Sequence, residues 1–88
     1  MSPEEQNAAH DRSSNNREEL VRSEICGCFY CVATFSPSLI KEWITERSGE
    51  QTAVCPRCGI DSVIGDASGF PITTGFLTEM RDHWFGPD

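Results

Sequence analysis

A small α+β domain folded around a bound metal ion, with short β-hairpin elements and two amphipathic helices, is the fold class the sequence predicts. Three observations lead there. Cys28-Phe29-Tyr30-Cys31 and Cys55-Pro56-Arg57-Cys58 are two CxxC pairs separated by 23 residues, a spacing that lets two backbone turns present four sulfurs to one ion. The chain has 88 residues, and a fold this small is marginal unless a cross-link supplements its core. Apolar residues recur at helical spacing after Pro37 and again before the C-terminus, while short β-prone runs flank the cysteines.

The cysteine count is five, an odd number. No segment resembles a signal peptide, and no apolar run approaches the roughly 20 residues a membrane span needs. These features lead to the expectation of a reducing, cytoplasmic setting, where such pairs hold metal more often than they form disulfides. Fourteen acidic residues against seven basic ones leave a formal charge of −7; adding four thiolates and one divalent cation takes −7 to −9. Such a surface repels phosphate backbones, whose binders draw their affinity largely from lysine and arginine displacing counterions. Lys41, Arg47, Arg57 and Arg81 are the basic residues of the expected folded part, too few for a DNA-binding stripe.

In chain order, residues 1–23 are almost wholly polar and are expected to form a flexible tail, because they offer little apolar area to offset their ordering entropy. A short helix over Arg17–Ile25 has adequate propensity but marginal length, and His10 is read as a solvated side chain. Residues 24–88 form the single four-cysteine domain. Ile25, Phe29, Tyr30, Val32 and Phe35 read as a strand and turn around the first pair. Ser36-Pro37 announces a helix, serine capping free amides and proline costing no hydrogen bond at the first position. Leu39, Ile40, Trp43 and Ile44 then form its apolar face, and Ser48-Gly49 ends it. Gln51–Val54 look extended, and Ile60, Val63 and Ile64 continue as a strand, together suggesting a small hairpin near the metal. Thr73 or Thr74 caps a final helix from about Gly75 to Trp84, whose Phe76, Leu77, Met80 and Trp84 should pack on the first helix or the hairpin. His83 near its end suits the helix dipole, and Gly86-Pro87 stops it.

The expected ligands are Cys28, Cys31, Cys55 and Cys58, and the expected ion is one structural zinc, with iron as the alternative. Pro56 preorganises the second turn, and Gly59 can take the positive φ that folds the backbone back toward the sulfurs. Cys26 is surplus: paired with Cys31 it also falls within the ligand interval, and it is otherwise either a small residue beside the site or a thiol that could displace a ligand on oxidation. Enzymatic activity is not expected. Four cysteines close the coordination shell that a zinc hydrolase must leave open, and no β-α-β pattern supports a thioredoxin-like role for Cys55 and Cys58.

The Cys28–Gly59 segment resembles the zinc-ribbon and rubredoxin-like group, in which two cysteine knuckles surround one metal, and Cys55-Pro56-Arg57-Cys58-Gly59 matches that pattern well. Val32 stands where a glycine is common in that group, and a helix in the interval between the pairs would favour a treble-clef-like arrangement. The resemblance therefore implies a zinc-ribbon or treble-clef-like domain. From about Cys28 to Phe85 the chain also resembles small bacterial cytoplasmic proteins, a likeness that implies no activity. The function expected is a non-catalytic zinc module that binds another protein, against a one-iron redox protein or a nucleic-acid-binding zinc ribbon.

Overall fold

In the computed structural model, which describes residues 1–86, the chain forms helices α1 (Pro3–Asp11) and α2 (Arg17–Val21), then strands β1 (Cys26–Cys28) and β2 (Thr34–Phe35). A 3-10 turn at Pro37–Leu39 leads to β3 (Trp43–Thr45), β4 (Gln51–Ala53) and β5 (Val63–Gly65), and a second 3-10 turn at Asp66–Ser68 precedes α3 (Thr74–Phe85). β1 is the central strand of a three-stranded antiparallel sheet ordered β2-β1-β5, while β3 and β4 form a separate two-stranded hairpin. Pro87 and the expected stop it belongs to lie outside the described residues.

Alternation along β1 divides the molecule into two cores. Cys26 and Cys28, with Val63 beside Cys28 in register, face a cluster containing Leu20 of α2, Phe35, Ile40, Ala53 and Cys55. Gly27 and its partner Ile64 face the opposite way, toward a cluster of Ala9, Phe29, Ile72 and the α3 residues Phe76, Leu77 and Met80. Both faces of the sheet are thus covered, α3 with α1 on one side and α2 with the hairpin on the other. Gly27 allows the close approach: a Cβ there would lie 2.7 Å from Leu77 Cδ1.

Three expectations for residues 36–64 are corrected. The helix expected after Ser36 is a single 3-10 turn followed by a strand. Ser36 does cap, its Oγ accepting from Ser38 N at 3.3 Å, but Ile40 is already extended at φ −73°, ψ 123°. Trp43, Ile44 and Thr45 are β-formers, and they pair with Ala53, Thr52 and Gln51. Ser48-Gly49, read as a helix stop, is the hairpin turn, with Gly49 at φ 91°. The residues at 51–54 and 60–64 do not pair with one another; β4 joins β3 and β5 joins β1.

Residues 1–23 are not an unstructured tail but hold α1 and α2. Ser2 accepts from Glu5 N at 3.2 Å while the Glu5 carboxylate accepts from Ser2 N at 3.0 Å, a reciprocal cap. Ala9 and Leu20 are fully buried. Polar residues complete the attachment through hydrogen bonds rather than apolar area, which is why a composition argument overlooks it. The final helix does begin at a Thr73 cap, whose Oγ1 accepts from Phe76 N at 3.1 Å. It packs on the sheet, where it meets Ile64 of β5 from the expected hairpin, and on α1, and the Trp84 ring lies 4.2 Å from the His10 ring. No helix among the described residues is long and apolar enough to cross a membrane.

Candidate metal centre

Each CxxC pair sits on a turn of the same construction. In the first, Val32 N donates to Cys28 O at 2.8 Å and Cys28 N to Ala33 O at 3.0 Å. In the second, Gly59 N donates to Cys55 O at 3.0 Å and Cys55 N to Ile60 O at 2.9 Å. The residue after the second cysteine is left-handed in both, Val32 at φ 65° and Gly59 at φ 79°. Where glycine adopts this conformation freely, valine is strained. The amides inside the turns point at sulfur: Tyr30 N lies 3.4 Å from Cys28 Sγ and Arg57 N 3.3 Å from Cys55 Sγ.

The two turns face each other, so that the Sγ atoms of Cys28, Cys31, Cys55 and Cys58 all lie within 4.8 Å of one another. Cys28 Sγ is 3.7 Å from Cys58 Sγ, and Cys31 Sγ is 3.8 Å from Cys55 Sγ. Zn–S bonds of about 2.3 Å in a tetrahedron require sulfurs about 3.8 Å apart. Four cysteines this close can hold a metal ion, and the closer pairs are already at bonding geometry. The amide–sulfur hydrogen bonds would spread the negative charge of the thiolates.

Protonation within the cluster is uneven. Burial pushes the Cys28 thiol up, against hydrogen bonds from the Cys31 and Tyr30 amides, and burial likewise raises Cys58. Burial also acts to raise Cys55, but the amides of Cys58 and Arg57 and the thiols of Cys58 and Cys31 outweigh it, so Cys55 is held below the ordinary thiol value. Sulfurs in contact cannot all ionise without a cation among them; a bound divalent ion reverses the balance and deprotonates its ligands.

Cys26 stands apart. It is fully buried on β1, outside the four-sulfur cluster, and its Sγ donates to Phe35 O at 3.3 Å. Burial first, then the Cys55 and Asp66 charges, pushes its thiol up to about 12. A protonated thiol enclosed in the core is a poor nucleophile.

Sequence reasoning missed one residue that positions the centre. Asn16 is buried, and its Nδ2 donates to Val63 O at 2.8 Å and to Arg12 O at 3.0 Å. Its Oδ1 accepts from Ala53 N at 3.2 Å. Ala53 and Val63 are the two legs of the loop that carries Cys55 and Cys58, so one amide side chain holds both. Nothing in the Ser13-Ser14-Asn15-Asn16 run distinguishes this residue from its neighbours before the chain folds. Comparison of the chain with protein-family models, with curated proteins and with solved structures finds no match.

Proposed function

We propose that this protein is a non-catalytic zinc module of zinc-ribbon character that binds another protein, with Cys28, Cys31, Cys55 and Cys58 as the ligands of one structural Zn²⁺. The observation that carries the metal assignment is the meeting of the four sulfurs within 4.8 Å of one another, two pairs of them at 3.7 and 3.8 Å, with an amide hydrogen bond to a sulfur in each turn. Four protein ligands complete the tetrahedral shell and leave no position for a reacting water or substrate, which supports a structural rather than a catalytic ion. Zinc is preferred to iron because a thiolate site binds Zn²⁺ more tightly than Fe²⁺ when both are available.

The ion's role is to close the fold. Metal binding in zinc-finger peptides contributes about 10–16 kcal/mol, whereas whole domains are stable by only about 5–15 kcal/mol. Removing the ion should therefore unfold the chain. Elemental analysis of purified protein is expected to give one zinc per chain in a colourless sample, and a chelator should abolish the cooperative thermal transition. A coloured, iron-containing sample, or a metal-free chain that keeps dispersed amide resonances, would contradict the proposal.

The protein-binding role is supported by the closed shell, which leaves the centre no catalytic position, and by the acidic charge of −7, which disfavours nucleic acid. Reproducible recovery of one partner with the zinc-loaded chain, lost on chelation, is the expected result of a pull-down.

A further inference from the structure

The four sulfurs of the cluster differ in access and in what donates to them. Cys28 is fully buried and Cys55 only 2 % exposed, Cys58 is half-buried, and Cys31 stands exposed at the end of the first turn. The Tyr30 and Arg57 amides donate to Cys28 Sγ and Cys55 Sγ, whereas among the described residues no amide hydrogen bond reaches Cys31 Sγ. A hydrogen bond withdraws electron density from a thiolate and burial keeps reagents away, so Cys31 is the most reactive of the four toward an oxidant from solvent.

The sulfur contacts at 3.7 and 3.8 Å both cross from one turn to the other, Cys28 to Cys58 and Cys31 to Cys55. Oxidation begun at Cys31 therefore finds its resolving thiolate on the second turn, 24 residues along the chain. A disulfide needs sulfurs about 2.05 Å apart, so a small movement closes the pair. Cys26, the fifth cysteine, is fully buried and outside the cluster, and it neither starts nor resolves the reaction.

On the reading of the cluster as a zinc centre, we propose that it is a peroxide-sensitive clasp in which Cys31 reacts first and a Cys31–Cys55 disulfide replaces the ion between the two turns. The Cys31 thiolate attacks one peroxide oxygen, the O–O bond breaks and hydroxide leaves, giving a sulfenic acid. The Cys55 thiolate then attacks that sulfur, and the S–O bond breaks as a second hydroxide departs. Two electrons pass from the two sulfurs to peroxide, and two protons from solvent turn the hydroxides into water. Cys28 and Cys58 are left as two thiolates, too few to retain an ion that four were holding. The new bond joins the same two turns, so the chain gives up zinc without losing its closure.

The test treats the zinc-loaded full chain with one equivalent of hydrogen peroxide, beside an untreated control, and reads released zinc, thermal melting and, after free thiols are alkylated, a tryptic peptide map. Trypsin cuts after Arg22, Lys41, Arg47 and Arg57, which puts Cys55 and Cys58 on separate peptides. Peptides 23–41 and 48–57 are expected to be joined, with Cys31 the residue trapped by dimedone at early times, one zinc released per bridge and a cooperative melt retained. Dithiothreitol with added zinc should restore the starting state. A bridge within one turn, first trapping at another cysteine, zinc loss without a bridge, or a melt lost as in the chelated chain would each overturn the proposal. Cys31→His keeps a Cys₃His ligand set; it should load one zinc and release it to peroxide about tenfold more slowly, and release at the wild-type rate would count against Cys31. The wild-type peptide map decides the matter whether or not that variant folds. Zinc content before treatment separates the two failures. A chain without zinc overturns the metal assignment, whereas a zinc-loaded chain that keeps its ion under peroxide overturns the clasp alone.

Discussion

Asn16 concentrates more of the architecture than any other polar side chain, since its three hydrogen bonds tie Arg12, Ala53 and Val63 together in the interior. Truncation leaves a buried carbonyl and a buried amide without partners, each costing about 1–3 kcal/mol. Asn16→Ala is therefore expected to lower the unfolding free energy by about 3 kcal/mol and to weaken zinc retention, as read by urea denaturation and a competing chelator. Gly59 makes a contrasting case. Nothing lies within 4 Å of a Cβ built there, so Gly59→Ala adds strain without a clash and should cost about 1–2 kcal/mol. The preference for glycine after Cys58 was readable from the turn itself; that Val32 accepts the same left-handed conformation at φ 65° was not, because only the half-buried setting of its side chain against the α3-side core retains it. Cys26→Ala should keep one zinc per chain while losing about 1 kcal/mol of stability with its buried hydrogen bond; metal loss in that variant would place Cys26 among the ligands.

Elements in this chain follow their caps more faithfully than their apolar spacing. Caps at Ser2, Ser36 and Thr73 all form, yet only two of the three open an α-helix. The spacing of Ile40, Trp43 and Ile44 fits a helix face, but a short apolar run cannot by itself distinguish helix from strand. The decision falls to partners: Trp43 receives the Arg17 guanidinium 4.6 Å from its ring centre, and the β3 backbone pairs with β4. At α1 the reciprocal cap has a pH signature. Hydrogen bonds from the Ser2 backbone and hydroxyl hold Glu5 below its ordinary value of 4.5. A carboxylate with a depressed folded value stabilises the fold fully above its unfolded value, and that contribution disappears as pH falls through the depressed one. The first turn of α1 should accordingly fray on acidification below about pH 4.5, seen as faster amide exchange there, and Glu5→Gln, which removes the titrating group, should abolish that pH dependence.

Over the whole molecule, a small core is divided across a sheet and held together by long-range links. The four-sulfur cluster joins the β1 end of the sheet to the loop between β4 and β5, and Asn16 joins the same loop to the N-terminal helices. Removing residues 1–23 would take away Ala9, Leu20 and Asn16, all buried. Loss of a buried leucine side chain alone costs about 2–5 kcal/mol, so the truncated chain should melt far below the intact one even with zinc present; an unchanged melting temperature would show the segment to be dispensable. What the sequence determined by itself is local: the two cysteine turns and the cap of the last helix depend on residues a few positions apart. Tertiary structure alone decided which strands pair, that Trp43-Ile44-Thr45 is extended, and that a polar N-terminus docks. Those outcomes turn on contacts between distant residues, where one buried amide or one available strand edge outweighs local preference.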